Sequence, residues 1–171
     1  MDITSYLLGK QSGGGGEEEY FSMSIKNGSS SRPGAVVLLK KTPENLTLYP
    51  AVTSLGYAFA YCENLVEIGL FDTTKITAMG YMCYSCTSLE TVPAFNTSRV
   101  TTMQNAFKDC YNLSKESLDN ILVMCAGVAS NYSRTKTLTD LGLTSTNYSA
   151  ALIQSLPHYQ DFIDAGWTIG Y

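Results

Sequence analysis

Between Val52 and Leu113 the apolar positions of the chain recur with a step of 24 residues. Val52, Ile76 and Val100 form one column, Thr53, Thr77 and Thr101 the next, and Leu55, Met79 and Met103 a third. Phe59, Cys83 and Phe107, then Cys62, Cys86 and Cys110, then Leu65, Leu89 and Leu113 follow without a gap. Ile68 with Val92 and Phe71 with Phe95 occur in the first two copies only, because the third changes character after Leu113. A fixed period of this size marks units that lay their apolar faces on one another. Within a unit, Leu55, Ala58, Phe59 and Cys62 stand at i, i+3, i+4 and i+7, as do Met79, Met82, Cys83, Cys86 and Met103, Ala106, Phe107, Cys110. That spacing predicts about two turns of helix with one buried stripe. A short extended piece follows, and then Asp72, Thr73, Thr74 or Asn96, Thr97, Ser98, whose side chains bond their own backbone in turns. The pattern predicts an α/β solenoid with a small parallel sheet and special units at its ends.

The flanks read differently. Residues 2–9 predict a short helix with Ile3, Tyr6 and Leu7 on one side. With the glycine run Gly13 to Gly16 behind it, this helix is either a plug on a flexible tether or a tail without fixed structure. Alternation over Tyr20 to Ile25 and the apolar run Ala35 to Leu39 predict two strands about the Asn27-Gly28 turn, covering the first edge of the stack. Leu46 and Leu48 begin an incomplete coil. After Leu113, Ser114 is the expected N-cap of a longer helix carrying Leu118, Ile121, Leu122 and Cys125, with Gly127 as its stop. Thr137 to Leu143 reads as a strand, Ser145 as the cap of a second helix with Tyr148, Leu152, Ile153 and Leu156 inward, and Pro157 as the opening of a third turn or helix that ends at Gly166. Trp167, Ile169 and Tyr171 alternate as a last strand. The chain divides into an N-terminal helix and tether (1–19), capping strands (20–49), repeats (50–113) and a helical C-terminal cap (114–171).

The repeat motif, apolar-Thr-x-Met/Leu, then Phe-x-x-Cys-x-x-Leu, then Phe-Asx-Thr, is written out as Thr101-Thr-Met-Gln-Asn-Ala-Phe107-Lys-Asp-Cys110-Tyr-Asn-Leu113. It resembles the leucine-rich repeats of bacterial BspA-like surface proteins, above all the short "lipoprotein of unknown function" type, over about residues 46–126. The first ten residues with their glycine run, and Gly166 to Tyr171, resemble the ends of repeat proteins encoded in phages and prophages of gut Firmicutes. The resemblance implies a leucine-rich-repeat solenoid with a virion-associated or host-binding role, and it brings no catalytic residues.

Composition narrows the partners. With a net charge of −4 and its eleven basic residues scattered, the chain lacks the clustered cations that a nucleic-acid backbone requires. No stretch of 18 apolar residues occurs, so membrane insertion is not expected, and the start Met1-Asp2-Ile3 lacks the pattern of a secretory signal. A phage product released by lysis needs no such signal, and this favours the virion over the bacterial wall. The six Asn-x-Ser/Thr sequons follow from a composition rich in those residues.

Little of the usual chemistry of sites is present. Glu17 to Glu19 lack further ligands, and the glycine run lacks the Gly-Lys-Ser/Thr of a phosphate loop. Cys83 and Cys86 form a Cys-x-x-Cys, which can hold zinc or cycle as a dithiol. Both fall in core columns, so buried free thiols are the expectation, with no metal and no cofactor. His158, beside Tyr159 and Asp161, is the lone histidine, expected to be a surface or capping residue; an enzyme using the C-terminal cap is the less favoured alternative. Tyrosine carries the functional content. Of the twelve, Tyr57 and Tyr81 share one outward column, with Tyr61, Tyr84 and Tyr111 nearby. A tyrosine is a rigid apolar plate with a polar tip, suited to sugar rings and protein epitopes, although such side chains can equally serve to shield the coil. The chain therefore reads as a non-enzymatic binding or structural module. Its expected partners are a protein or glycan on a cell surface and, through residues 1–16, other virion proteins or a second copy. The expected setting is a phage particle, with a bacterial surface adhesin or a secreted protein as the alternative.

Overall fold

Leu55, Tyr57, Phe59 and Tyr61 donate their backbone N–H groups to the carbonyls of Ala78, Gly80, Met82 and Tyr84, at 2.7–3.2 Å. One coil later Met79, Tyr81, Cys83 and Ser85 do the same to Thr102, Gln104, Ala106 and Lys108 at 2.8–2.9 Å. The residues between them turn inward along the chain. Ala58, Ala60 and Cys62 donate to Leu55, Tyr57 and Phe59, three residues back, and Met82, Tyr84 and Cys86 repeat this with Met79, Tyr81 and Cys83. Alternate N–H groups thus close tight turns and tie one coil to the next. An α-helix uses every interior N–H within itself and leaves nothing for a neighbouring coil.

This computed structural model describes residues 5–10, 20–25, 46, 48 and 52–171. Two strands, β1 (Ser5–Lys10) and β2 (Tyr20–Ile25), pair antiparallel with Ser5 opposite Ile25 and Lys10 opposite Tyr20. The stacked coils follow, and then three helices, α1 (Lys115–Ala126), α2 (Ala150–Gln154) and α3 (Tyr159–Asp164).

The α/β solenoid is overturned. Among the described residues from Leu46 onward there is no β-strand and no sheet, and the only helices are the three after Ser114. Parallel pairing is confined to isolated bridges, Ser54 with Ala78, Ala78 with Thr102, Glu67 with Thr91, and Thr137 with Thr168. The cause is the alternation described above: a parallel ladder cannot run on when every second N–H is committed to its own turn. The repeat helices are absent for the same reason. Their spacing nevertheless located the core, because Leu55, Ala58, Phe59 and Cys62 are all fully buried, as are Met79, Met82, Cys83 and Cys86.

Side chains reinforce the stack at the same step. Thr77 and Thr101 each donate through both N–H and Oγ1 to the carbonyl of the preceding threonine, Thr53 or Thr77, and Ser133 continues the file onto Thr101. Cys86 Sγ donates to Phe59 O at 3.0 Å and Cys110 Sγ to Cys83 O at 3.1 Å. Cys62, Cys86 and Cys110 therefore lie in one buried file, and all five cysteines are free. The turns were legible: Asp72 Oδ1 accepts from Thr74 N, and Asn96 Oδ1 from Ser98 N. Thr73 and Thr97 are buried between these pairs and donate to Asn96 O and Met124 O.

The C-terminal segment closes the far side of the stack with side chains standing where another coil's backbone would. On α1, Ser117 Oγ donates to Glu90 O and accepts from Val92 N–H at 2.8 Å each, while Asn120 donates to Val92 O. Ser114 caps that helix by accepting from Ser117 N, and Gly127 ends it. Asn105 and Phe107 donate to Asp140 O and Leu141 O, so residues 140–141 act as the next rung. Gly142 allows this approach. Its φ is +88°, and a Cβ there would come within 2.4 Å of Lys108 Cβ. Tyr148, buried, donates its hydroxyl to Cys110 O and accepts from Leu113 N. α3 packs on α1, and Trp167 is sealed against Tyr132 and Phe162.

Other expectations shift. Of the helix expected over residues 2–9, the described part lies in strand β1, Ser5–Lys10; eight residues cannot hold an isolated helix, whereas pairing with β2 satisfies backbone groups on both. The strand at Tyr20 to Ile25 is present, while its expected partner at Ala35 to Leu39 and the Asn27-Gly28 turn lie outside the described residues. The second helix is capped by Ser149, not Ser145, and Thr137 to Leu143 and Trp167 to Tyr171 are turns and a single bridge instead of strands. Ser117→Ala orphans a buried N–H and weakens a carbonyl's pairing, so a loss of about 1–3 kcal/mol is expected in urea unfolding. Tyr148→Phe should show a similar loss. The five thiols should all react in denaturant without reductant, and the native protein should protect them.

Candidate functional site

The inter-coil turns have a geometric requirement that places the tyrosines. Each coil carries three overlapping turns closed by i+3 to i bonds, Leu55 to Ala58, Tyr57 to Ala60 and Phe59 to Cys62 in the first coil, and the third residues of the first and last of them take positive φ. One column is Tyr57 (60°), Tyr81 (59°) and Asn105 (51°), and the other is Tyr61 (64°), Ser85 (58°) and Asp109 (63°). Glycine or asparagine suits such a position, and a bulky side chain there is strained by about 1–3 kcal/mol. Asn105 and Asp109 fit it. Tyr57, Tyr61 and Tyr81 do not, and the turn turns their rings out of the core.

The rings meet. Tyr57 and Tyr81 stack face to face, with centroids 4.7 Å apart and planes within 3°. Tyr84 tilts against Tyr81 at 5.9 Å and meets Tyr61 edge-on at 5.2 Å, so four tyrosines from two coils form one continuous patch. Lys108 Nζ stands 5.6 Å from the centre of the Tyr84 ring, within cation–π range. These four are half-buried instead of standing free as the sequence suggested, because each ring covers its neighbour. Tyr111 is the exposed member at 49%, and its hydroxyl donates to Asp109 Oδ1 at 2.9 Å. That bond holds the Tyr111 phenol above its ordinary pKa; burial, followed by the charges of Tyr81, Tyr61 and Tyr84, does so for Tyr57. All five predicted site residues thus lie on the same two turns of each coil or just beyond them. Lys108 and Asp109 were missed. The signal was available, since Asn105 and Asp109 fall 24 residues beyond Tyr81 and Ser85, and Asx residues mark left-handed positions.

Residues 53–124 match the family described as Mycoplasma protein of unknown function, DUF285. That family is associated with BspA-like repeat proteins. The DUF285 match takes in the three stacked coils and most of α1, and therefore every tyrosine of the patch. No curated protein and no solved structure matches the chain.

The remaining candidates are accounted for by packing. Cys83 and Cys86 are both buried core thiols; burial, above all, raises the pKa of Cys83, Cys110 and Cys125 and leaves little reactive thiolate at neutral pH. His158 joins helices: its backbone N–H donates to Asp119 Oδ1 at 2.9 Å, and its Nδ1 lies 2.7 Å from Asp119 Oδ2, binding the start of α3 to α1. The Asp119 carboxylate raises the His158 pKa by its hydrogen bond and its charge. A raised pKa means the charged pair contributes fully below the unfolded value, about 6.5, and is lost as pH rises through the folded value. Asp119→Asn should therefore bring the His158 titration, followed by NMR, back toward that value. The stability gap between the two proteins should be widest at mildly acid pH and narrow above neutrality.

Proposed function

We propose that the protein is a non-enzymatic binding module whose tyrosine patch contacts another molecule. The observation that carries this reading is that Tyr57, Tyr61 and Tyr81 occupy left-handed positions that the fold fills more comfortably with Asn105 and Asp109. Shielding the coil does not require strained tyrosines, because a lysine stem can cover apolar surface. Strain kept at a surface is a mark of sites under functional demand. The association of DUF285 with BspA-like repeat proteins supports the repeat character of the segment that carries the patch. In this reading the protein sits on a phage particle and engages the host surface; display on a bacterial cell as an adhesin is the alternative.

Replacing Tyr57 and Tyr81 together by Ser removes the stacked pair while leaving the buried columns intact. The double variant is expected to lose at least tenfold in pull-down of host cells and to keep a cooperative melt. Unchanged capture by a folded variant shows the patch to be idle. Antibody labelling then separates the settings, by decorating either purified phage particles or intact bacteria.

A further inference from the structure

The tyrosine hydroxyls divide into two kinds. Tyr132 accepts from Met103 N–H, Tyr148 donates to Cys110 O and accepts from Leu113 N–H, Tyr171 donates to Tyr148 O, and Tyr111 donates to Asp109. The hydroxyls of Tyr57, Tyr61, Tyr81 and Tyr84 bond to no described residue, although their rings are half-buried against one another. Tyr159 shares this property, but its ring meets Phe162 and no other tyrosine. The charges of Tyr81, Tyr61 and Tyr84 all act on the Tyr57 phenol, so the four hydroxyls stand within electrostatic reach of one another. The ring faces are less open. Tyr57 and Tyr81 each cover one face of the other, and Lys108 Nζ stands over the Tyr84 ring. Charge at the rim is balanced, since Arg134 pairs with Asp140 and Lys108 adjoins Asp109 in the chain.

We infer that these four hydroxyls are contact atoms, and that the partner they hold is the surface of another protein. This deepens the binding role proposed above and rests on it. Each phenol both donates and accepts, and one that a partner covers without bonding it is costly to desolvate. The partner must therefore bring donors and acceptors to four neighbouring points along with apolar surface for the ring edges. A polypeptide does this, because every residue carries an amide donor and a carbonyl acceptor beside its side chain. A sugar ring carries hydroxyls too, but it stacks through a ring face, and here faces are taken up within the patch. Small ligands bind in clefts that enclose them, whereas these rings lie side by side over two coils. A polyanion is disfavoured by the balanced rim and by the net charge of −4. Aromatic side chains at the centre with charged groups around them are the usual make-up of a protein interface. Rings already fixed by one another also lose little freedom when a partner arrives.

The test uses the full chain and intact host cells, as in the capture assay above. A variant carrying Tyr57→Phe, Tyr61→Phe, Tyr81→Phe and Tyr84→Phe keeps every ring and ring contact, and it removes hydroxyls that bond nothing within the fold. It should melt like the wild type and capture cells about tenfold less well. Wild-type capture should vanish after protease treatment of the cells and be unchanged after periodate oxidation of their surface sugars. It should also persist as salt is raised. A folded Phe variant that captures as well as the wild type overturns the hydroxyls as contact atoms, and a loss in the Tyr57→Ser, Tyr81→Ser protein then leaves the binding role standing. If the Phe variant fails to fold, the protease and periodate treatments decide with the wild type alone. Capture that survives protease, or is lost to periodate or to salt, overturns the protein partner. No capture by the wild type overturns both this inference and the binding role.

Discussion

The structure depends on how one coil divides its backbone N–H groups. Every second donor closes a four-residue turn and every other one reaches the coil beside it, so a single stretch of chain is folded tightly and joined laterally at once. Neither an α-helix nor a β-strand does both: the helix keeps its donors, and the strand gives half of them to each side. The price of the arrangement is a left-handed residue twice per coil, at the third position of its first and last turns. Tyrosine at three of these six places is what turns a packing device into a surface with character.

The far end of the stack shows the same demand from the other side. A last coil leaves its donors and acceptors open, and no identical coil follows to meet them. The chain answers with unlike groups: a serine hydroxyl and an asparagine amide on α1, a tyrosine hydroxyl from Tyr148, and the irregular backbone at Asp140 and Leu141. Each supplies the polarity of a missing rung without its shape. Such pairing matters because a buried backbone group left alone is a large fraction of a domain's net stability.

What the residues disclose and what they conceal follow from this division. The columns disclosed the core, because burial depends on which side chains point inward and on nothing else; Cys62, Cys86 and Cys110, or Leu65 and Leu89, sit where their period put them. The helix reading failed because a stripe at i, i+3, i+4 and i+7 is also produced by successive four-residue turns, and spacing alone does not tell 3.6 residues per turn from a chain of turns. Two marks separated them. Asn105 and Asp109 stand where a helix gains nothing from them, and Gly56 and Gly80 recur in a stretch where a helix disfavours glycine. Ser114, Gly127 and the Asx turns at Asp72 and Asn96 were legible because their bonds are local. Ser117, Asn120 and Asp140 were not, since their partners lie on other coils and nothing near them in the chain names those partners. The tyrosine patch was half legible: a shared column showed in the spacing, but the face-to-face contact required the step between coils to equal the thickness of a ring.

Because the cap's groups on α1 meet Glu90 and Val92, and residues 140–141 meet the last coil, the fit between cap and stack is local to the final two coils. Duplicating 24 residues upstream of that junction leaves every one of those contacts intact. The gene can therefore lengthen its product by copying, one coil at a time, and each copy of the segment bearing Tyr57 or Tyr81 adds another aromatic plate to the file. The length of the outer face and its number of aromatic plates are in that sense quantised, and open to change by unequal recombination without redesign of either end.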